Sequence, residues 1–327
     1  MPALPLIDVS PERDLASVAA EIDDACRRLG FFRISGHSVS SGLMAELDRL
    51  ARAFFDQPDD VKAAIAMPLG GPAWRGWFPL DGELTAGVPD HKEGIYFGTE
   101  LPPEHPAVRA GRPLHGANQF PAEPTELRAV VLAWIEAMTG LGTHLLRAVA
   151  VGLGAPADWF EREVTAEPTV LARIFRYPPD LHPDGWGVAE HTDYGLLTIL
   201  AQDGHDGLEV HAPDGWIAVP ADPEVLVVNL GDMVERMTGG RYRSTPHRVR
   251  NTTTAMRLSF PVFIDPSWDA TCPILPLGDD TAGPTEAPAR WDGASPLAWE
   301  GTYGDYLTAK VVKVFPDLST GGPEPRC

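Results

Sequence analysis

Glu190-His191-Thr192-Asp193-Tyr194-Gly195-Leu196-Leu197-Thr198-Ile199 sets a histidine and an aspartate two residues apart in a run rich in β-branched and apolar residues. That composition predicts a strand, on which alternate side chains share a face, so the imidazole and the carboxylate point the same way. A third metal ligand is available in His247, within Arg243-Ser244-Thr245-Pro246-His247-Arg248-Val249. Two neutral imidazoles and one carboxylate on one face of an octahedral ion leave three positions open, the facial triad of non-haem Fe(II) centres. Arg257-Leu258-Ser259 is a second i, i+2 pair, offering a planar guanidinium and a hydroxyl to a small carboxylate.

Each group alone has an ordinary reading: Asp193 can cap a turn, His247 can bond a backbone carbonyl, Arg257 can pair with a surface acid and Tyr177 can simply pack. The combination is hard to explain as packing. Together with Asn229-Leu230-Gly231-Asp232 and Gly240-Arg241-Tyr242 it makes the stretch from Arg173 to Ile264 resemble the isopenicillin N synthase-like family of Fe(II)/2-oxoglutarate-dependent dioxygenases. The order Ile7-Asp8, Gly30-Phe31-Phe32, Gly36-His37, Phe54-Phe55 and Pro58 to Lys62 is similar to that family's N-terminal region.

The resemblance implies Fe(II) held by His191, Asp193 and His247, and 2-oxoglutarate held by Arg257, Ser259 and Tyr177. It implies an oxygenase that uses O2 to hydroxylate, desaturate or cyclise a small organic molecule while 2-oxoglutarate becomes succinate and CO2. One departure stands out: Phe175 occupies the position where many relatives carry Asn, two residues before the tyrosine. The stretches Trp74-Arg75-Gly76-Trp77 and Lys92 to Gly98 correspond to a region that lines the family's substrate pocket, and Arg75, Tyr96 and Phe263 are the candidate substrate contacts. Three alternatives stay open. Some members of the family are oxidases that use Fe(II) and O2 without a 2-oxo acid and also carry Arg-x-Ser. A jelly-roll fold can bind without catalysing, and zinc accepts the same ligand types.

The 327 residues suffice for one large core or two domains. Acidic residues exceed basic ones by 46 − 26 = 20, which argues against nucleic-acid and anionic-membrane partners. An anionic co-substrate then needs a local cation, which gives Arg257 a purpose. Cys26, Cys272 and Cys327 are dispersed and form no CxxC pair, so neither a disulfide framework nor a zinc ribbon is indicated, and a reducing cytoplasm fits. The N-terminus lacks a basic segment followed by an apolar run, and no apolar stretch of membrane-spanning length is expected. Oligomeric state is not legible.

Along the chain, a short first strand over 4–9 precedes Ser10-Pro11 as cap and first turn of a helix with Leu15, Val18, Ile22, Cys26 and Leu29 on one face. A second strand at Phe31-Phe32-Arg33-Ile34 and a second helix with Leu43, Leu47, Leu50 and Phe54 follow. Residues 67–124, dense in Gly, Pro and His, read as loops or short irregular strands. Leu127 to Val149 is a long amphipathic helix that braces the sheet from outside. From Thr169 the pattern changes to strands at 170–177, 189–200, 207–211, 215–219, 225–230, 243–251 and 256–264, separated by turns such as Pro183-Asp184-Gly185 and Pro213-Asp214-Gly215. The expectation is a mainly β fold with flanking helices. It has a double-stranded β-helix (jelly roll, cupin-like) core over 169–265, a helical N-terminal shell over 1–123 that contributes to the pocket, and a C-terminal loop and helix over 266–327, all in one unit.

Overall fold

The computed structural model describes residues 4–85, 87–179, 185–275, 293 and 295–314. The predicted turn at Pro183-Asp184 and the end of the final helix at Phe315 lie outside them. The shell opens with β1 (Leu6–Asp8), α1 (Leu15–Arg28), β2 (Phe31–Ser35) and α2 (Ser41–Phe55). Val18, Ile22 and Cys26 are buried along α1 as their spacing predicts. The cap is Asp14, whose carboxylate accepts the Ser17 N–H at 2.9 Å, and not Ser10. Ser10 is held in a turn instead, its N–H donated to Asp8 and its carbonyl accepting from Arg13.

A short α3 (Asp59–Lys62) leads to β3 (Gly76–Phe78), the hairpin of β4 (Leu84–Thr85) and β5 (Val88–Pro89), β6 (Glu93–Gly98) and α4 (Pro106–Arg109). This region is more regular than its loop-like composition suggests. Every residue of β6 is buried, and β6 pairs with β7 (Pro168–Tyr177) across six residues. Gly94 permits it: a Cβ there would fall 2.7 Å from the Phe175 ring. Then come α5 (Leu127–Gly152) and α6 (Trp159–Glu163). By length and composition α5 could cross a membrane, against the expectation of no such run. It packs on α1, α2 and the back of the large sheet, where Gly142 brings it so close that a Cβ would meet Ile264 at 2.5 Å.

After β7 the core continues through β8 (Val188–His191), β9 (Leu197–Gln202), β10 (Leu208–Ala212), β11 (Gly215–Val219), β12 (Leu226–Leu230), α7 (Asp232–Met237), β13 (His247–Val249), β14 (Arg257–Ser267) and α8 (Tyr303–Val314). Eight strands form one sheet in the order β1-β2-β12-β9-β14-β7-β6-β3, and four form a second in the order β11-β10-β13-β8. Among the described strands only β1 and β2 pair in parallel. The two sheets enclose a cavity between them, the jelly-roll arrangement the strand pattern predicts.

Two expected strands are shorter than the sequence implies. The run over 189–200 divides into β8 and β9, so His191 ends one strand and Asp193 sits in the connecting loop. The loop is fixed by buried backbone bonds from Asp232 N–H to Asp193 carbonyl and from Gly231 N–H to Leu196 carbonyl. The run over 243–251 shrinks to the three residues of β13, because the backbone before it is bound elsewhere, Ser244 N–H to Glu235. That acid belongs to α7, a short helix with no strong sequence signal.

Candidate metal centre and its cavity

His191 and His247 are direct cross-strand neighbours on β8 and β13. Their rings lie 4.3 Å apart. The His191 and His247 Nε2 atoms are each 3.8 Å from a different Asp193 oxygen. One ligand atom from each of the three residues falls within 4.8 Å of the others. The outer nitrogens are committed: Nδ1 of His191 lies 2.8 Å from the Ala189 carbonyl and that of His247 3.1 Å from the Thr245 carbonyl. Carbonyls accept only, so Nδ1 carries the proton in both rings and Nε2 turns its lone pair inward. Asn229 donates to Asp193 Oδ2 at 2.6 Å and Thr198 donates to the same oxygen, leaving Oδ1 free to coordinate.

Burial pulls the His247 pKa down to about 4, and the neighbouring His191 adds to this against the opposing pull of Asp193. For Asp193, burial acts upward but is outweighed by the two imidazoles and the bonds from Asn229 and Thr198, so its carboxyl lies below the usual range. Burial thus favours the neutral form of His247, and the neighbours of Asp193 favour its ionised form, the states a divalent cation needs of its ligands. The His-x-Asp reading therefore reaches the right grouping by a partly wrong route. The loop after β8, and not strand alternation, turns Asp193 toward the histidines.

The cavity beside the triad is about 160 Å³, room for on the order of ten water molecules and hence for small organic molecules. Its floor is a ladder of alternate residues. Register sets Arg257 opposite Tyr177 and Ser259 opposite Phe175. Arg257 is fully buried, with Nε donating to the His205 carbonyl at 3.1 Å, Nη2 to Gln202 at 3.0 Å and its guanidinium 4.9 Å from the Tyr177 ring centre. Its Nη1 is buried with no partner among the described residues. A guanidinium fixed on two sides with one donor open is a seat for a carboxylate. Tyr177 OH and Ser259 Oγ lie 3.3 Å apart at the same seat, and burial holds the phenol above its usual pKa, so it stays a donor.

At the other end of the ladder, of the three candidate substrate contacts, Tyr96 and Phe263 line the cavity and Arg75 does not. Trp74 takes a left-handed turn (φ 48°) and fills the lining position. Arg75 is driven behind the wall, where Nη2 donates to the Leu114 carbonyl at 2.8 Å and the head presses on Gly98. Of the charged residues lining the cavity, Lys92 opens the stretch expected to line it, while Glu83, Arg173 and Asp265 had no such expectation. Lys92 pairs with Glu83 at 2.9 Å and with Asp90, and its ammonium stands 4.8 Å above the Phe175 ring. Arg173 stacks on Tyr96 at 3.5 Å. Asp265 is pushed up to about 7, by burial first. The available signal was a polar residue at the inward parity of an otherwise apolar strand, as at Arg173.

Residues 167–266 match the 2OG-Fe(II) oxygenase superfamily, and residues 4–123 match the family described as the N-terminal part of non-haem dioxygenases in morphine synthesis. A Dictyostelium discoideum protein named as a probable iron/ascorbate oxidoreductase is 40% identical over 96% of this chain and 95% of its own length. The chain belongs to the 2OG-Fe(II) oxygenase superfamily. It is also 32% identical to a 1-aminocyclopropane-1-carboxylate oxidase of Dictyostelium mucoroides, covering 96% of this chain and 95% of that one. The crystal structure of a full-length Neurospora crassa protein in complex with α-KG (2-oxoglutarate) superposes with a TM-score of 0.76 at 25% identity, over 95% of this oxygenase and 96% of that chain. The oxygenase is thus an oxidoreductase that uses Fe(II), 2-oxoglutarate and O2 on a small organic molecule.

Proposed function

We propose that His191, Asp193 and His247 hold the Fe(II), and that Arg257, Ser259 and Tyr177 hold the distal carboxylate of 2-oxoglutarate. The unpartnered Nη1 of Arg257 carries this reading, since a buried donor left open costs about 1–3 kcal/mol unless a ligand satisfies it. Bound Fe(II) supplies O2 activation coupled to oxidative decarboxylation of the 2-oxo acid, chemistry no side chain provides. The chain's own residues position and shield. Ser259 and Tyr177 donate beside Arg257, and Phe175 presents a ring where many members of the resembled family carry Asn, so the co-substrate is held by the remaining donors. Leu307 and Val311 of α8 help close the cavity against water. The substrate enters on the side of Tyr96 and Phe263.

Hydroxylation, desaturation and cyclisation share this machinery, and pocket contacts select among them. A reducing cytoplasmic setting fits Cys26 and Cys272, both buried and, among the described residues, in no disulfide. Anaerobic addition of Fe(II) and 2-oxoglutarate should give the weak visible charge-transfer band of the chelate, and admission of O2 should release succinate. Turnover of substrate with no succinate would instead favour the oxidase reading, in which O2 alone is the oxidant.

A further inference from the structure

The cavity holds a second guanidinium, and no carboxylate of the described residues pairs with it. Arg173 is 9% exposed and faces inward from β7 between Leu171 and Phe175. Its Nη1 donates to the Ala172 and Phe97 carbonyls at 3.2 and 3.5 Å. Its face lies 3.5 Å from the Tyr96 ring centre and 5.4 Å from that of Phe263. Buried or half-buried ion pairs are common elsewhere in the structure, Lys92 with Glu83 and Arg176 with Glu93 among them. Asp265 feels the Arg173 charge from beyond ion-pair distance, but burial pushes its own carboxyl up to about 7 and Tyr303 donates to it at 2.6 Å. Arg75 stands behind Arg173, also without an acid of the described residues within ion-pair distance and with a buried Nε that has no partner among them. Burial, and then the charge of Arg173, pushes Arg75 down to about 9 against the weaker, longer-range pull of Glu100. Two buried cations side by side, with Glu100 and Asp265 acting on them only from beyond ion-pair distance, are costly, and a ligand carboxylate seated beside Arg173 would offset that cost.

2-Oxoglutarate cannot be that ligand while it sits at Arg257. Tyr177, the cross-strand partner of Arg257, is four residues from Arg173 on β7, about 13 Å at strand rise. A five-carbon diacid spans roughly 6 Å. The Arg173 head also leans the other way, toward the Phe97 carbonyl. We infer that the substrate is an organic acid with an apolar body, its carboxylate read by Arg173 and its body lying on Tyr96 and Phe263. This rests on the assignment of Arg257 to 2-oxoglutarate and adds the substrate class.

The test is calorimetric titration of the anaerobic enzyme loaded with Fe(II) and 2-oxoglutarate, using arylacetic and medium-chain alkanoic acids, each against its primary amide. Acids should bind at least about tenfold tighter than their amides, the scale of one charge-assisted bidentate contact. Arg173→Gln should erase that difference, Arg173→Lys should restore part of it, and neither should change the 2-oxoglutarate dependence of the charge-transfer band. Amides binding as well as acids, an unaffected Arg173→Gln, or no acid binding at all would overturn the inference. So would loss of the chelate band in Arg173→Gln, which would make Arg173 part of the co-substrate seat. Melting of ligand-free Arg173→Met supplies a readout independent of the panel: a cation awaiting a ligand predicts an unchanged or higher Tm, whereas a structural cation predicts a lower one. Failure of the Arg257 assignment is separable, because it appears as unchanged 2-oxoglutarate binding in Arg257→Ala whatever the acid and amide titrations give.

Discussion

At Arg257 two of three guanidinium faces are consumed by the His205 carbonyl and Gln202, so the head cannot swing and the open donor has one direction. Arg257→Ala should therefore raise the 2-oxoglutarate concentration for half-maximal succinate release by about 30-fold or more, the scale of about 2 kcal/mol for a lost charge-assisted pair. Lysine should recover little, because an ammonium cannot reproduce the planar fork. Tyr177→Phe removes a single neutral donor and should cost up to about tenfold by the same assay. His191→Ala and Asp193→Ala act earlier, at metal retention. Each should abolish iron-dependent succinate formation and lower bound iron measured after gel filtration, and full turnover in either would refute the triad. These residues were legible because their chemistry forces their type: few combinations other than two imidazoles and a carboxylate give an open ferrous face. Arg173 was not, since a single cation in an apolar run has many structural explanations and its value depends on which acids the fold brings near.

At the scale of elements, period and punctuation carried most of the pattern. The apolar stripe of α5 and the hairpin at Pro213-Asp214, which joins β10 to β11 through the Ala212–Gly215 pair, were readable from local sequence. What failed was long-range. β3 and β6 are strands because β7 offers an edge, and the break between β8 and β9 is imposed by backbone bonds to residues near 231, invisible in a ten-residue window. Packing of α5 on the sheet turns on Gly142. Gly142→Val should lower Tm by several degrees in differential scanning calorimetry, since overpacking costs about 1–3 kcal/mol. Gly140, one residue pair away with open space around it, is the control: Gly140→Ala should leave Tm the same or raise it slightly.

For the whole molecule, two buried groups set opposing dependences on pH in the metal-free state. His247, with a folded pKa near 4 against 6.5, stays neutral where the unfolded chain takes up a proton, so its contribution rises with pH between about 4 and 6.5. Asp265, pushed up to about 7 from 3.8, keeps a proton the unfolded chain has lost, so its contribution falls across about 4 to 7. The two slopes offset each other over most of that range. Asp265→Asn removes the second, and its Tm should climb from pH 4 to 6.5 more steeply than the parent's when melting is followed by fluorescence. Equal slopes would show that Asp265 ionises normally. One geometric consequence reaches further. Tyr177, Arg257 and Ser259 lie on the same two strands as Arg173 and Phe263, and inward positions recur every second residue, about 6.8 Å apart. The strand pair is a ruler graduated in steps of that length, with one acid's mark fixed. Moving the other mark by point substitution can only jump a whole gradation, so molecules of intermediate length must be fitted by reshaping the hairpin over 84–89 or the final helix, and not the floor.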